Sequence, residues 1–83
     1  MDALPAPLLA LVRELAGPVA AGVPLTAALP LVGGPLGMDS VRLVELLLRC
    51  EDAFLVHLDA DALLATPLTL GSLAAALRDA PPL

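Results

Sequence analysis

The stretch that decides the fold reads LGMDSVRLVELLLRCEDAF, at residues 36–54. Asp39 is a good N-cap for a helix that follows it, because its carboxylate can accept hydrogen bonds from the free N–H groups of the first turn. Apolar residues then recur at helical spacing. They form an inner stripe of Leu43, Leu47, Cys50 and Phe54, with Leu46 beside it. The pattern predicts a helix over about 40–53.

A second apolar stripe runs along the same helix and consists of Val41, Val44 and Leu48. A helix that is apolar on two sides either lies deep in a core or offers one side to a partner. Since the inner stripe already serves the core of so small a domain, we expect this outer stripe to be a docking surface.

A first helix is predicted over about 7–16, because Pro7 suits a first turn and apolar residues follow at the spacing of one buried face. The pair Gly17-Pro18 ends it.

Two more helices are predicted in the last third of the chain. A short one over about 59–65 begins at Asp59 or Asp61, and Thr69 is a reasonable cap for a longer one over about 69–78.

The segment between the first two helices, 17–38, is a long loop. It carries no charge, but its five glycines and four prolines prevent a membrane-spanning helix. Its apolar residues predict that it packs over the core, and residues 25–29 could form a helical turn. The chain is therefore predicted to be a single all-α domain, 1–83: a small four-helix bundle with three long helices, one short helix and this loop between helices one and two.

Composition narrows the class of partner. The chain has 83 residues, nine acids against four arginines, no lysine and a formal charge of −5. An acidic surface argues against nucleic acid and anionic membranes, and fits partners that present arginine or lysine. The single cysteine permits no internal disulfide, and the N-terminus lacks the basic start of a signal peptide. We expect a cytoplasmic monomer, with Cys50 as a small core residue.

The stretch 36–54 resembles the modification site of acyl carrier proteins, and the resemblance covers most of 31–77. Its specific part is LGMDS at 36–40. Supporting matches are VEL at 44–46, Glu51 with Phe54, Val56, Leu58, and TLGSL at 69–73.

The resemblance implies that Ser40 carries a 4′-phosphopantetheine arm received from coenzyme A, and that Asp39 helps position the phosphopantetheinyl transferase and its metal. It implies a carrier without catalytic residues or a metal site of its own. The partners would be that transferase and acyl-loading or acyl-processing enzymes such as a ketosynthase or an acyltransferase. They would dock on the outer stripe and Glu45, while the inner stripe would line a pocket for part of the acyl chain.

The sequence departs from fatty-acid carriers at three positions. Val41 stands where the family usually has leucine, and Arg42 and Arg49 lie in a helix that those carriers make strongly acidic. This favours a natural-product pathway, of the polyketide type, over a standard fatty-acid pathway. The order Gly37-Met38-Asp39 favours acyl cargo, with an aminoacyl or peptidyl carrier as the alternative.

Two other functions compete with a carrier. A hydrolase with Ser40 as nucleophile needs a base and an oxyanion hole, but His57 is the only histidine and no Gly-x-Ser-x-Gly elbow is present. An unmodified helical interaction module would keep the fold and take no arm. Asp59 and Asp61 are expected to cap a helix and not to bind calcium, because Leu63 follows at the next alternate position.

Overall fold

The computed structural model describes residues 4–83 and contains four α-helices in this part of the chain: α1 (Ala6–Ala16), α2 (Ser40–Phe54), α3 (Ala60–Leu64) and α4 (Leu70–Asp79). The predicted all-α class is confirmed, and each helix end lies within one residue of its predicted position. No helix among the described residues is long and apolar enough to cross a membrane.

Three of the four helices, α2, α3 and α4, begin directly after a residue whose side chain caps them. Asp39 Oδ1 accepts the N–H of Arg42 at 2.9 Å, and Thr69 Oγ1 accepts the N–H of Ser72 at 3.1 Å. At α3 the structure selects Asp59, whose carboxylate accepts the N–H of Ala62 at 3.2 Å. These bonds satisfy donors that the first turn of a helix leaves free.

One core joins three of the helices. Its α1 side chains are Leu8, Val12 and Leu15; those of α2 are Leu43, Leu46, Leu47 and Cys50; those of α4 are Leu70, Leu73 and Leu77. Phe54, which was expected at the end of the inner stripe, is only partly buried at the edge of this core. Helix α3 contributes no fully buried side chain, but Ala60 and Leu63 are partly buried and pack against the core.

The long loop is more structured than predicted. It begins with a 3-10 helix, Gly17–Gly22, and contains a second one, Gly34–Leu36. Residues 26–29 form a single turn, as expected for 25–29, in which the N–H of Leu29 donates to the carbonyl of Thr26 at 3.1 Å.

Backbone pairing with the start of α4 holds this loop on the core. The N–H of Leu31 donates to the carbonyl of Leu68 at 2.9 Å, and the N–H of Leu70 donates to the carbonyl of Leu29 at 2.9 Å. The N–H of Gly71 donates to the carbonyl of Ala27 at 2.8 Å. Leu29 and Leu31 are buried beneath the pairing. The prediction that the loop packs over the core is thus confirmed, by contacts that fix its course towards α2.

A second pairing closes the other end of the bundle. The N–H of His57 donates to the carbonyl of Pro81 at 2.9 Å, and the N–H of Leu83 donates to the carbonyl of Leu55 at 3.1 Å. Glu51 Oε2 accepts the N–H of Leu58 at 2.8 Å. The turn after α2 is therefore tied both to the segment that follows α4 and to α2 itself.

Candidate functional site

A tight loop delivers the chain to the start of α2. Leu36 and Met38 are buried and anchor it, while the N–H of Gly33 donates to the carbonyl of Met38 at 2.8 Å. Between the two anchors, Gly37 has a φ of +64°, a left-handed conformation that glycine adopts at little cost. The loop therefore presents Asp39 and Ser40 from a fixed base.

Ser40 is the first residue of α2, and it is exposed. Its neighbour Asp39 supplies the cap, so the Ser40 hydroxyl is not needed to close the first turn. Free backbone N–H groups and the positive end of the helix dipole lie at this terminus, and both favour a phosphate. An accessible hydroxyl in this setting is suited to carry a phosphate ester.

The outer stripe lies outside the core. Val41 is 72% exposed, Val44 37% and Leu48 58%, and Glu45 beside them is also exposed. Exposed aliphatic side chains that adjoin one another on a helix are the kind of surface that partners cover. The structure thus places all four predicted docking residues on the surface of α2, in the two turns that follow Ser40.

A groove of about 370 Å³ opens beside Ser40. It lies between the start of α2 and the segment around the end of α3. Its lining is Val32, Ser40, Leu43, Leu64, Ala65, Thr66, Pro67 and Leu68. Of the inner stripe only Leu43 reaches this groove, because Leu47 and Cys50 are packed into the core. The groove next to the serine is therefore a surface groove, and the acyl pocket along the inner stripe stays a prediction.

Comparison with protein families identifies the arrangement. A family model described as "phosphopantetheine attachment site" matches residues 7–77. The chain belongs to this family. No curated protein and no solved structure gave a significant match. The protein is thus a carrier domain, and its family bears a covalently attached 4′-phosphopantetheine group.

The residues present fit that group. The arm is joined to its protein through a phosphodiester. The attachment needs a hydroxyl that a transferase can reach, with no buried hydrogen-bond acceptor beside the phosphate. Ser40 offers such a hydroxyl at a helix N-terminus, and the adjoining groove is mostly apolar.

Charges around the carrier domain's serine are few. On α2, Arg49 Nη1 donates to Glu14 Oε1 of α1 at 3.2 Å. Arg42 and Glu45 have no ion-pair partner among residues 4–83. The same part of the chain contains no group of three or more His, Cys, Asp or Glu side chains that could hold a metal ion.

His57 is engaged away from Ser40. Its Nδ1 lies 3.5 Å from Glu51 Oε2, and its side chain borders a second groove, of about 290 Å³, formed with Leu58, Leu63 and the end of α4. That groove shares no lining residue with the one beside Ser40. No hydrogen bond joins His57 to Ser40 among the described residues.

Cys50 is fully buried in the carrier domain, and burial raises the pKa of its thiol to about 11. We predict that the folded, unloaded protein reacts with a disulfide reagent at pH 8 at least about a hundredfold more slowly than the urea-unfolded protein, because the thiolate is the reacting form. Absorbance of the released thiolate measures both rates. As pH rises through 9 to 11 the unfolded thiol ionises first, so stability should fall in that range.

A rapid reaction of the native protein would contradict this prediction. If it holds, Cys50 cannot compete with a thiol on the arm for an acyl group, which suits a core residue of a thioester carrier.

Proposed function

We propose that Ser40 bears the phosphopantetheine arm of this carrier domain, and that the arm holds acyl intermediates for a biosynthetic pathway of the polyketide type. The observation that carries the proposal is the exposed Ser40 hydroxyl at the N-terminus of α2, inside the segment that matches the family. When bound, the arm supplies a thiol that forms thioesters. The chain itself supplies the attachment point and a surface that partner enzymes recognise.

Asp39 has two roles in this proposal. One carboxylate oxygen closes the first turn of α2 by accepting the N–H of Arg42. The side chain is exposed and adjoins Ser40, so it is also placed to meet the transferase and the metal that this enzyme brings. The chain has no catalytic role here; His57, its only histidine, pairs with Glu51.

Partner enzymes are proposed to dock on Val41, Val44, Glu45 and Leu48. These side chains are exposed in the turns that follow Ser40, so an enzyme bound to them has its active site within reach of the arm. The partners would be an acyltransferase that loads the carrier and a ketosynthase that extends its cargo. Gly37-Met38-Asp39 and the arginines of α2 support acyl cargo of a natural-product pathway. The proposal places a monomer in the cytoplasm, where coenzyme A is available.

The intact mass of the folded protein tests the proposal, measured before and after incubation with coenzyme A and a broad-specificity phosphopantetheinyl transferase. We expect a gain of one phosphopantetheinyl group and no more. A folded protein whose mass does not change would contradict the proposed function.

The docking surface is tested by Leu48→Glu. Leu48 is 58% exposed, so we expect little change in stability, with a melting temperature within about 3 °C of the wild type. Acyl transfer from an acyltransferase that accepts the wild-type carrier should slow by about tenfold or more, because a carboxylate would be buried in an apolar contact. Transfer is measured with the loaded protein by mass.

Leu55→Glu is the matched control. Leu55 is 66% exposed and follows the last residue of α2, far along the helix from Ser40. It should leave transfer unchanged, and because a carboxylate at the C-terminal end of α2 opposes the helix dipole, it should lower stability by no more than about 1 kcal/mol. A large loss of stability in Leu48→Glu would assign Leu48 to the core, and an equal effect of both variants on transfer would argue against a localised docking surface.

A further inference from the structure

The outer surface of α2 carries two arginines in different states. Arg42 and Arg49 are seven residues apart, so they lie on the same side of the helix, two turns from each other. Arg49 is bound by Glu14 of α1 at 3.2 Å. Arg42, nearer to Ser40, is exposed and has no carboxylate partner among residues 4–83.

Several acids among the described residues make local contacts. The carboxylates of Asp39 and Asp59 cap helices, and Glu51 holds the backbone of Leu58. The net charge of −5 is a sum over the whole chain and does not describe the surface around Ser40. There the side chains offer two acids, the capping Asp39 and Glu45, and one cation without an ion-pair partner among residues 4–83, Arg42, beside the outer stripe.

We propose that the carrier's enzyme partners present a carboxylate to Arg42, next to an apolar patch that covers the outer stripe. This inference rests on the proposed function. It differs from the expectation, drawn from net charge alone, that partners present arginine or lysine. An exposed charge at the edge of an interface steers association, and a like charge opposite it suppresses the wrong partner. A partner without a carboxylate at this point would leave the Arg42 guanidinium covered and unpaired, which is unfavourable.

The chain offers a well-behaved variant for the test. Arg42 is the third residue of α2, three after the Asp39 cap. Glutamate is favoured at this position, because a carboxylate there complements the free N–H groups and the helix dipole. Arg42→Glu should therefore fold at least as well as the wild type. Arg13→Glu, at an exposed position on α1, makes the same change in net charge on a different helix.

The test measures acyl transfer to the loaded carrier by two acyltransferases, one chosen for an acidic and one for a basic carrier-docking surface. The wild type should accept acyl groups faster from the acidic enzyme. In Arg42→Glu the rate of acyl transfer should fall about tenfold with the acidic enzyme and rise with the basic one. Arg13→Glu should change either rate by less than about twofold. The preference of the wild type should also weaken at high salt.

Three results would overturn the proposal. Equal effects of Arg42→Glu and Arg13→Glu would mean that only net charge matters. Equal losses with both enzymes would mean that Arg42 acts on the phosphate of the arm and not on a partner. A wild type with no preference between the enzymes would contradict it directly. Loading is scored first by mass, so a carrier that takes no arm contradicts the proposed function instead.

Discussion

The variant Ser40→Ala is expected to gain no mass on incubation with coenzyme A and a phosphopantetheinyl transferase, whereas the wild type gains one phosphopantetheinyl group. The substitution removes the only atom to which the arm is proposed to be joined. It leaves the helix intact, because Asp39 caps α2 at 2.9 Å and the Ser40 side chain is exposed. Alanine is also a good helix former. The melting temperature should therefore stay within about 3 °C of the wild type.

The chain provides a matched control in Ser72, its only other serine. Ser72 is exposed in the first turn of α4, as Ser40 is in the first turn of α2. Ser72→Ala should be loaded as the wild type is. A mass gain in Ser40→Ala, or its loss in Ser72→Ala, would place the attachment site elsewhere and contradict the proposal for Ser40.

The parts of the fold that were predicted correctly depend on local rules. The start of α2 follows from Asp39, whose carboxylate caps the helix as expected, and the inner stripe follows from helical spacing. Helical periodicity identified both stripes, and the small size of the domain indicated that the outer stripe lies outside the core, which agrees with the exposures of Val41, Val44 and Leu48. These features are encoded within about fifteen consecutive residues, so one sequence suffices to find them.

The course of the long loop depends on contacts that are distant in sequence. Leu29 makes a backbone hydrogen bond with Leu70, and Leu31 makes one with Leu68, about forty residues further on. Each pairing involves one or two residues and leaves no alternating pattern of the kind that marks a strand. The two 3-10 helices of the loop are local, but they are short and rich in glycine and proline, so they carry no apolar period that predicts them.

The groove beside Ser40 was missed on the same physical grounds. It is built from three parts of the chain: Val32 in the long loop, Leu43 in α2 and the segment 64–68. Only Leu43 belongs to the inner stripe from which a pocket had been expected. A concave surface formed between segments has no periodicity of its own, so the helical pattern identified the wall on one side and not the other two.

The largest effect on stability is expected from Gly71→Ala, in the pairing that holds the loop. A Cβ at Gly71 would lie 2.8 Å from the Cβ of Ala27 and 2.9 Å from its carbonyl oxygen. That oxygen already accepts the N–H of Gly71 at 2.8 Å, so Ala27 cannot move away without weakening the bond. We expect a loss of about 1–3 kcal/mol in the free energy of unfolding, measured by urea denaturation, which exceeds the gain in helix propensity of up to about 1 kcal/mol.

Gly22→Ala serves as its control. A Cβ at Gly22 would meet nothing within 4 Å, and its φ lies outside the left-handed region. Restricting the unfolded chain there should leave stability unchanged or raise it by up to about 1 kcal/mol. If Gly71→Ala unfolds like Gly22→Ala, the loop is not held against α4 at this point. Both variants should still gain the arm while folded, because neither substitution touches Ser40. Gly71→Ala should thus lose stability and keep loading, whereas Ser40→Ala should keep stability and lose loading. That contrast would separate a residue that stabilises the fold from the residue to which the arm is attached.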